Sequence, residues 1–253
     1  MRPHAIFVHG MWSRPLVWQH WIAAFEAAGY ACTAVALPGH GEGSVDRDLD
    51  GLSIRDYVDA VAAVAAAHER PVVIGHSMGG LIAQLVATRK TLAAAVLINS
   101  AAPAPVFPLR PQMLPGLVRH FATWGLWHSA FRLNAWEARY LLLGGLDAAE
   151  AEAVRASLIA ESGLIAYELG FGSLNLARSN FVDRTRVACP LLALAGECDR
   201  IVPLGVSRAM AAYYGAQMDF RAFAGRAHWL LGEAGYEARI DDALQWLERV
   251  VAA

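Results

Sequence analysis

Short apolar runs rich in Val, Ile, Leu and Ala recur along the chain, separated by longer stretches in which apolar residues return every three or four positions. The runs read as strands buried on both faces and the stretches as amphipathic helices. Their alternation predicts a mainly parallel sheet flanked by helices, an α/β fold. Six strands are expected: AIFVHG (5–10), CTAVAL (32–37), PVVIGH (71–76), AAVLIN (94–99), PLLALAG (190–196) and MDFRAFA (218–224). Between them, 15–28 carries Val17, Trp21 and Phe25 on one stripe and stops at Gly29, a residue that tolerates the positive φ of a helix end. Ser53 with Asp56 three residues on predicts a capping box and a helix through His68, with Ile54, Tyr57, Val58 and Val61 facing inward. The last helix, 236–250, buries Ile240, Leu244, Leu247 and Val250.

Between Ala102 and Arg186 this rhythm breaks. Pro103, Pro105, Pro108, Pro111 and Pro115 fall close together, which favours an extended linker over a helix or central strand. Helix-like segments follow without strand alternation, at 117–127, 135–143, 148–162 and 164–169. The pattern predicts a core of residues 1–102 and 187–253, with a helical cap, residues 103–186, inserted after one strand.

One strand-to-helix joint carries a chemical signal. GHSMG (75–79) fits the pattern Gly-x-Ser-x-Gly, with a strand before it and a helix after it. There a serine stands exposed on a strained turn, and small neighbours remove Cβ atoms that would clash as the chain folds back. Its oxygen would lie at the strand's C-terminal end, where open α/β sheets place ligands, and beside a helix N-terminus that favours negative charge. A serine becomes a nucleophile only with a base to take its proton and an acid to orient that base. Of nine histidines, only His228 in GRAHWLLGE lies between the last expected strand and the last helix. Asp199, in GECDRIVP just past LLALAG, is the expected acid, with nearby Glu197 an alternative orienter. A developing oxyanion needs two backbone N–H donors; Met78, after the serine, is the first, and Met11 in the VHGMW turn is placed to be the second.

HG after the first strand, LPGHGEGS (37–44) after the second, the GHSMGG elbow, and the acid loop followed by the histidine loop occur in one order. Together they resemble the α/β-hydrolase fold superfamily and its serine esterase- and lipase-like members over most of the chain. The resemblance implies Ser77, Asp199 and His228 as a catalytic triad, Met11 and Met78 as oxyanion-hole donors, and no metal or organic cofactor. Most members begin with an antiparallel hairpin; this chain starts at the strand leading into HG, as compact plant methylesterase and hydroxynitrile lyase relatives do. Hydroxynitrile lyase chemistry is disfavoured, because those relatives have Thr where this chain has Gly10 and Lys where it has Trp229. Haloalkane dehalogenation is disfavoured because it wants a carboxylate at position 77.

Other candidates read as structural. His9, His40 and His76 are expected to satisfy local backbone groups. GHGEG (39–43) is followed by SVDRDLDG and not by a helix, so it fails the context of a phosphate-binding loop. Trp12 and Trp229, beside the expected oxyanion and histidine loops, are candidates for the substrate pocket. Trp124, Trp127 and Trp136 either line that pocket or pack the cap.

Composition narrows the function. With 56% hydrophobic and 17% charged residues the chain is globular, and a net charge of −2 with scattered basic residues excludes the footprint of a nucleic-acid binder. No apolar run reaches the roughly 18 residues of a membrane span. The strand-like HAIFVHG starts at residue 4, so a cytoplasmic address is expected. Cys32, Cys189 and Cys198 lack zinc-site spacing and read as idle or buried thiols. The expected activity is cleavage of small carboxylic esters or thioesters carrying a fairly apolar group, through an acyl-enzyme at Ser77, by a monomer or homodimer. It should fade as His228 protonates. C–C bond hydrolysis by the same triad, and a hydrolase-fold ligand receptor with little turnover, remain alternatives.

Overall fold

The computed structural model describes residues 2–171 and 177–251. In chain order, strand β1 (Ala5–Val8) leads to helix α1 (Gln19–Ala27), and β2 (Cys32–Val35) to α2 (Ile54–Ala66). Strand β3 (Val72–His76) runs directly into α3 (Met78–Ala87), and β4 (Ala94–Ile98) follows. The segment after β4 holds α4 (Leu114–Phe121), β5 (Ala130–Phe131), α5 (Ala135–Leu141), α6 (Ala148–Ser157), β6 (Glu161–Ser162) and α7 (Gly163–Gly170). The chain then returns to the sheet with β7 (Leu191–Gly196), α8 (Leu204–Tyr214), β8 (Met218–Phe223) and α9 (Tyr236–Val251).

Six strands form one sheet in the order β2-β1-β3-β4-β7-β8, and every neighbouring pair is parallel. Alternate side chains enter opposite layers, as the period of a strand requires. From β1, Ile6 and Val8 pack with Tyr57, Val58 and Leu81 of α2 and α3, while Ala5 and Phe7 join Trp18, Trp21, Phe25 and Trp246 on the other face. All six expected strands are present, each within a few residues of its sequence boundaries.

The segment between β4 and β7 departs from expectation in three places. The helix expected over 117–127 forms as α4, three residues earlier and ending at Phe121. A separate 3-10 turn, Leu126–His128, follows Gly125, whose φ of 80° breaks the helix. Pro111 and Pro115 lie within the first two positions of a 3-10 turn and of α4, where the missing N–H costs nothing, so the proline run ends by starting a helix. The helix expected over 148–162 stops at Ser157, and Glu161–Ser162 pairs antiparallel with β5. Tertiary bonds explain that early stop. Tyr57 Oη donates to Glu161 Oε1 (2.8 Å) and Ser162 Oγ to the Leu52 carbonyl (2.7 Å), turning both residues inward.

The same segment is tied to the sheet by further polar contacts. Glu168 accepts from the backbone N–H of Ile54 at the start of α2 (2.7 Å), and Ile159 N–H donates to the Trp12 carbonyl (2.9 Å). Asp56 at that start accepts both the backbone N–H and the hydroxyl of Ser53. Among the described residues no helix is long and apolar enough to cross a membrane.

Candidate active site

The tight joint between β3 and α3 depends on two glycines. A Cβ on Gly75 would run into the Gly79 carbonyl, and one on Gly79 into the Val8 carbonyl of β1. Between them Ser77 sits at φ 55° and ψ −120°, a conformation unusual for a residue with a side chain. Its backbone is anchored on both sides: Ser77 N–H donates to the Ile98 carbonyl (2.9 Å), and the Ser77 carbonyl accepts from Gly80 (3.0 Å) and Ala101 (2.9 Å). Gly10 packs against it, since a Cβ there would lie 2.9 Å from the Ser77 Cβ.

Asp199 and His228 meet in the buried space past the ends of β7 and β8. His228 Nδ1 lies 2.7 Å from Asp199 Oδ2, while Asp199 Oδ1 accepts from the N–H groups of Ile201 (2.9 Å) and Val202 (2.8 Å). A carboxylate only accepts, so Nδ1 carries the proton and Nε2 is left basic. Glu197 is exposed and takes no part in this contact. The histidine loop reaches the serine turn through His76, whose Nε2 donates to the His228 carbonyl (3.0 Å) and whose ring lies 4.8 Å from that of His228.

Met78 follows Ser77 in the chain, and Met11 lines the same cavity as Ser77. Among the described residues, neither backbone N–H has an acceptor. Met78 opens α3, so its N–H is one of the donors that a helix start leaves free.

Ser77, Met11 and Trp12 line a cavity of about 320 Å³ roofed by the segment between β4 and β7. Met113, Leu117, Leu126 and Phe131 supply much of its wall, with Ile201 and Val206 from the core. Among the described residues no Asp, Glu, Lys or Arg side chain lines it. Trp124 and Trp127 are lining residues; Trp136 and Trp229 are not. Trp136 stacks on Tyr140 at the surface, 56% exposed, and Trp229 is buried behind the site, edge-on to His76 at 5.7 Å. Helical phase put Trp136 on the outer side of α5, and the histidine loop turned Trp229 inward.

Several residues that hold the site carry no sequence motif. Asn99, buried at the end of β4 with φ 41°, donates to the carbonyls of Ala227 (2.9 Å) and His228 (2.8 Å) and accepts from Gly196 N–H (2.7 Å). It thereby joins the strand that carries the acid to the loop that carries the histidine. Glu233, fully buried, accepts from the N–H groups of Ala227 and Trp229 on either side of His228. Arg239 in turn holds the carbonyls of Leu230, Glu233 and Ala234. The clue in the sequence was a charged residue in an otherwise apolar stretch, WLLGEAGY (229–236). Asn99→Ala orphans the buried Gly196 N–H and the Ala227 carbonyl and leaves the His228 carbonyl to His76 alone, so urea unfolding should give a stability loss of about 3 kcal/mol. An unchanged midpoint would refute the clamp.

His9 and His76 are neutral within the fold. Burial, reinforced by neighbouring His40 for His9 and His228 for His76, pushes each down to about 3. His9 Nδ1 donates to the Gly10 carbonyl (2.9 Å) and His40 Nδ1 to the Pro38 carbonyl (2.9 Å), the local bonds expected, whereas His76 bonds a carbonyl on the distant histidine loop. Among the described residues no group of three or more His, Cys, Asp or Glu side chains is arranged to hold a metal ion.

The sequence model of the alpha/beta hydrolase family matches residues 5–240. Esterase PIR7B of Oryza sativa subsp. japonica is 38% identical over 107 residues, which cover 40% of this chain and 40% of that protein. The match thus spans about two-fifths of the length of that relative. Pimeloyl-(acyl-carrier protein) methyl ester esterase of Proteus mirabilis is 24% identical over 226 residues, 84% of this chain and 81% of that protein. Among solved structures, tomato methylketone synthase I superposes with a TM-score of 0.74 at 12% identity over 99% of both chains. At that identity the likeness is one of fold.

Proposed function

The chain belongs to the alpha/beta hydrolase family, and from that premise we propose that it is a serine carboxylesterase acting on small esters or thioesters with an apolar group. The observation that carries this reading is a strained Ser77 in the wall of an apolar cavity, with a buried Asp199–His228 pair whose loop is hydrogen-bonded to His76 at the serine turn. The esterase names of the rice and Proteus relatives support the same class.

In this mechanism the Ser77 hydroxyl attacks the substrate carbonyl while His228 Nε2 takes its proton. Asp199 holds the ring and stabilises the imidazolium. Negative charge gathers on the carbonyl oxygen, where the N–H groups of Met11 and Met78 receive it; one such donor is worth about 3 kcal/mol of barrier. His228 returns the proton to the leaving alcohol or thiol, and water, activated by the same histidine, frees the acid and regenerates Ser77. The segment between β4 and β7 serves as a cap. Its wall of Met, Leu, Phe and Trp side chains, without a charged group among the described residues, favours a neutral apolar chain over an ionic one.

A fluorophosphonate probe tests the reading. It should label the native protein stoichiometrically and fail to label Ser77→Ala, and the native protein should turn over short p-nitrophenyl esters repeatedly. Labelling that survives Ser77→Ala overturns the assignment, and a single turnover with retained product would favour a receptor.

A further inference from the structure

One buried polar pair, of which one member stands in the cavity wall, has no part in that chemistry. His120, on α4, lines the cavity and is only 4% exposed. Its Nε2 lies 3.1 Å from Oε2 of Glu137 on α5. Glu137 is itself buried and held on three further sides: Arg119 donates to its two oxygens through Nε and Nη2 (2.8 Å each), and the Asn134 N–H donates to Oε2 (2.8 Å). Arg119 first, and then the backbone bond and His120, hold the Glu137 carboxyl down at about 2, although burial opposes them. Ionised, it can only accept, so its nearer approach to Nε2, 3.1 Å against 3.3 Å for Arg119 Nη2, places the His120 proton on Nε2. Burial lowers the tendency of the ring to take a second proton. The neutral ring thus leaves Nδ1 as a lone-pair acceptor.

That acceptor has no donor among the described residues, yet it is not one of the buried polar atoms closed to water. His120 is a lining residue of the cavity, so a group bound there comes within reach of its ring. Joining α4 to α5 does not need this histidine, because the two-pronged Arg119–Glu137 pair already does so. A phenylalanine at position 120 would suit the apolar wall and the neighbouring Phe131 ring, 4.8 Å away, equally well.

We propose that His120 is a substrate-specificity residue whose Nδ1 accepts a hydrogen bond from a hydroxyl or amide N–H carried on the apolar group of the ester, away from the scissile carbonyl. An all-alkyl group would strip water from Nδ1 and return nothing, whereas a donor-bearing chain restores the bond. A site built around a polar partner discriminates in this way far more sharply than an apolar pocket discriminates by size. This inference rests on the esterase reading above.

The test uses p-nitrophenyl esters of one saturated acyl chain, unsubstituted and with a single hydroxyl walked along it. The native protein should prefer one hydroxyl position over the unsubstituted parent by roughly tenfold in kcat/KM. In His120→Phe that ratio should collapse to one or below. A helix clip alone would alter both esters together and leave the ratio standing. A hydroxyl that lowers kcat/KM at every position, or a preference that survives His120→Phe, overturns the proposal while Ser77-dependent turnover of the parent ester still upholds the esterase reading. Dissociation constants of an alkyl methyl ketone and its hydroxylated analogues, measured on Ser77→Ala, decide the matter independently of turnover. Tighter binding of one hydroxyketone supports the subsite, and weaker binding of all of them refutes it, also if His120→Phe fails to fold.

Discussion

Replacing Ser77 by alanine should lower kcat/KM for a short p-nitrophenyl ester by about 10,000-fold or more, with little effect on folding. The side chain is small, lies at the cavity floor and makes no hydrogen bond on which neighbouring segments depend; the bonds at this turn are made by its backbone. His228→Ala should cost a comparable factor, since without the base the hydroxyl keeps its proton. Because the two act as a unit, Ser77→Ala/His228→Ala should be hardly slower than either single variant. Asp199→Asn should lose somewhat less. An amide at position 199 still accepts from Ile201 and Val202, but no longer supplies the charge that fixes the proton on Nδ1. Multiplying losses in the double variant would mean that Ser77 and His228 act separately, which the mechanism forbids.

Acid should unfold this protein over a defined window, measured as the urea midpoint against pH. In an unfolded chain His9 and His76 take protons near 6.5. In the fold they resist until about 3, because burial denies the imidazolium its hydration. Above pH 6.5 both states are neutral and nothing is gained or lost. Below it the unfolded state binds protons that the folded state cannot, so stability falls as pH drops and each histidine costs up to about 1.4 kcal/mol per pH unit. Carried down to pH 3, either group forfeits about 5 kcal/mol, comparable with the whole stability of many domains. Comparing the slope between pH 6.5 and 5 in the native protein and in histidine variants isolates the histidine contribution. His76→Gln should be less stable at pH 7.5, for want of the bond to the His228 carbonyl, but should show a shallower slope. A slope unchanged in both His76→Gln and His9→Gln would refute the account.

The elements of the sheet were legible because local rules govern them. A buried parallel strand must be apolar on both faces, and 72–76 or 191–196 could be read as little else. The elbow was legible because strand-to-helix reversal forbids Cβ atoms at Gly75 and Gly79, and that demand falls on the very residues that show it. In the segment after β4 the same reasoning went astray. Helical periodicity carried α6 through Ser162, but the inward pull of Tyr57 on Glu161 and of the Leu52 carbonyl on Ser162 ended it. These partners lie more than a hundred residues away, and no window of sequence contains both.

The sequence by itself determined the strand order along the chain, the strained serine turn, and the candidates Asp199 and His228, because each follows from spacing and from which residue types tolerate a sharp turn. Only the tertiary structure decided that Asp199 and not Glu197 meets His228, that Trp12, Trp124 and Trp127 but not Trp136 or Trp229 line the cavity, and that Asn99, Glu233 and His120 belong near the chemistry. The physical reason is that a buried polar side chain is defined by the partner that satisfies it, and those partners are brought together by packing across the sheet and across the segment that covers it.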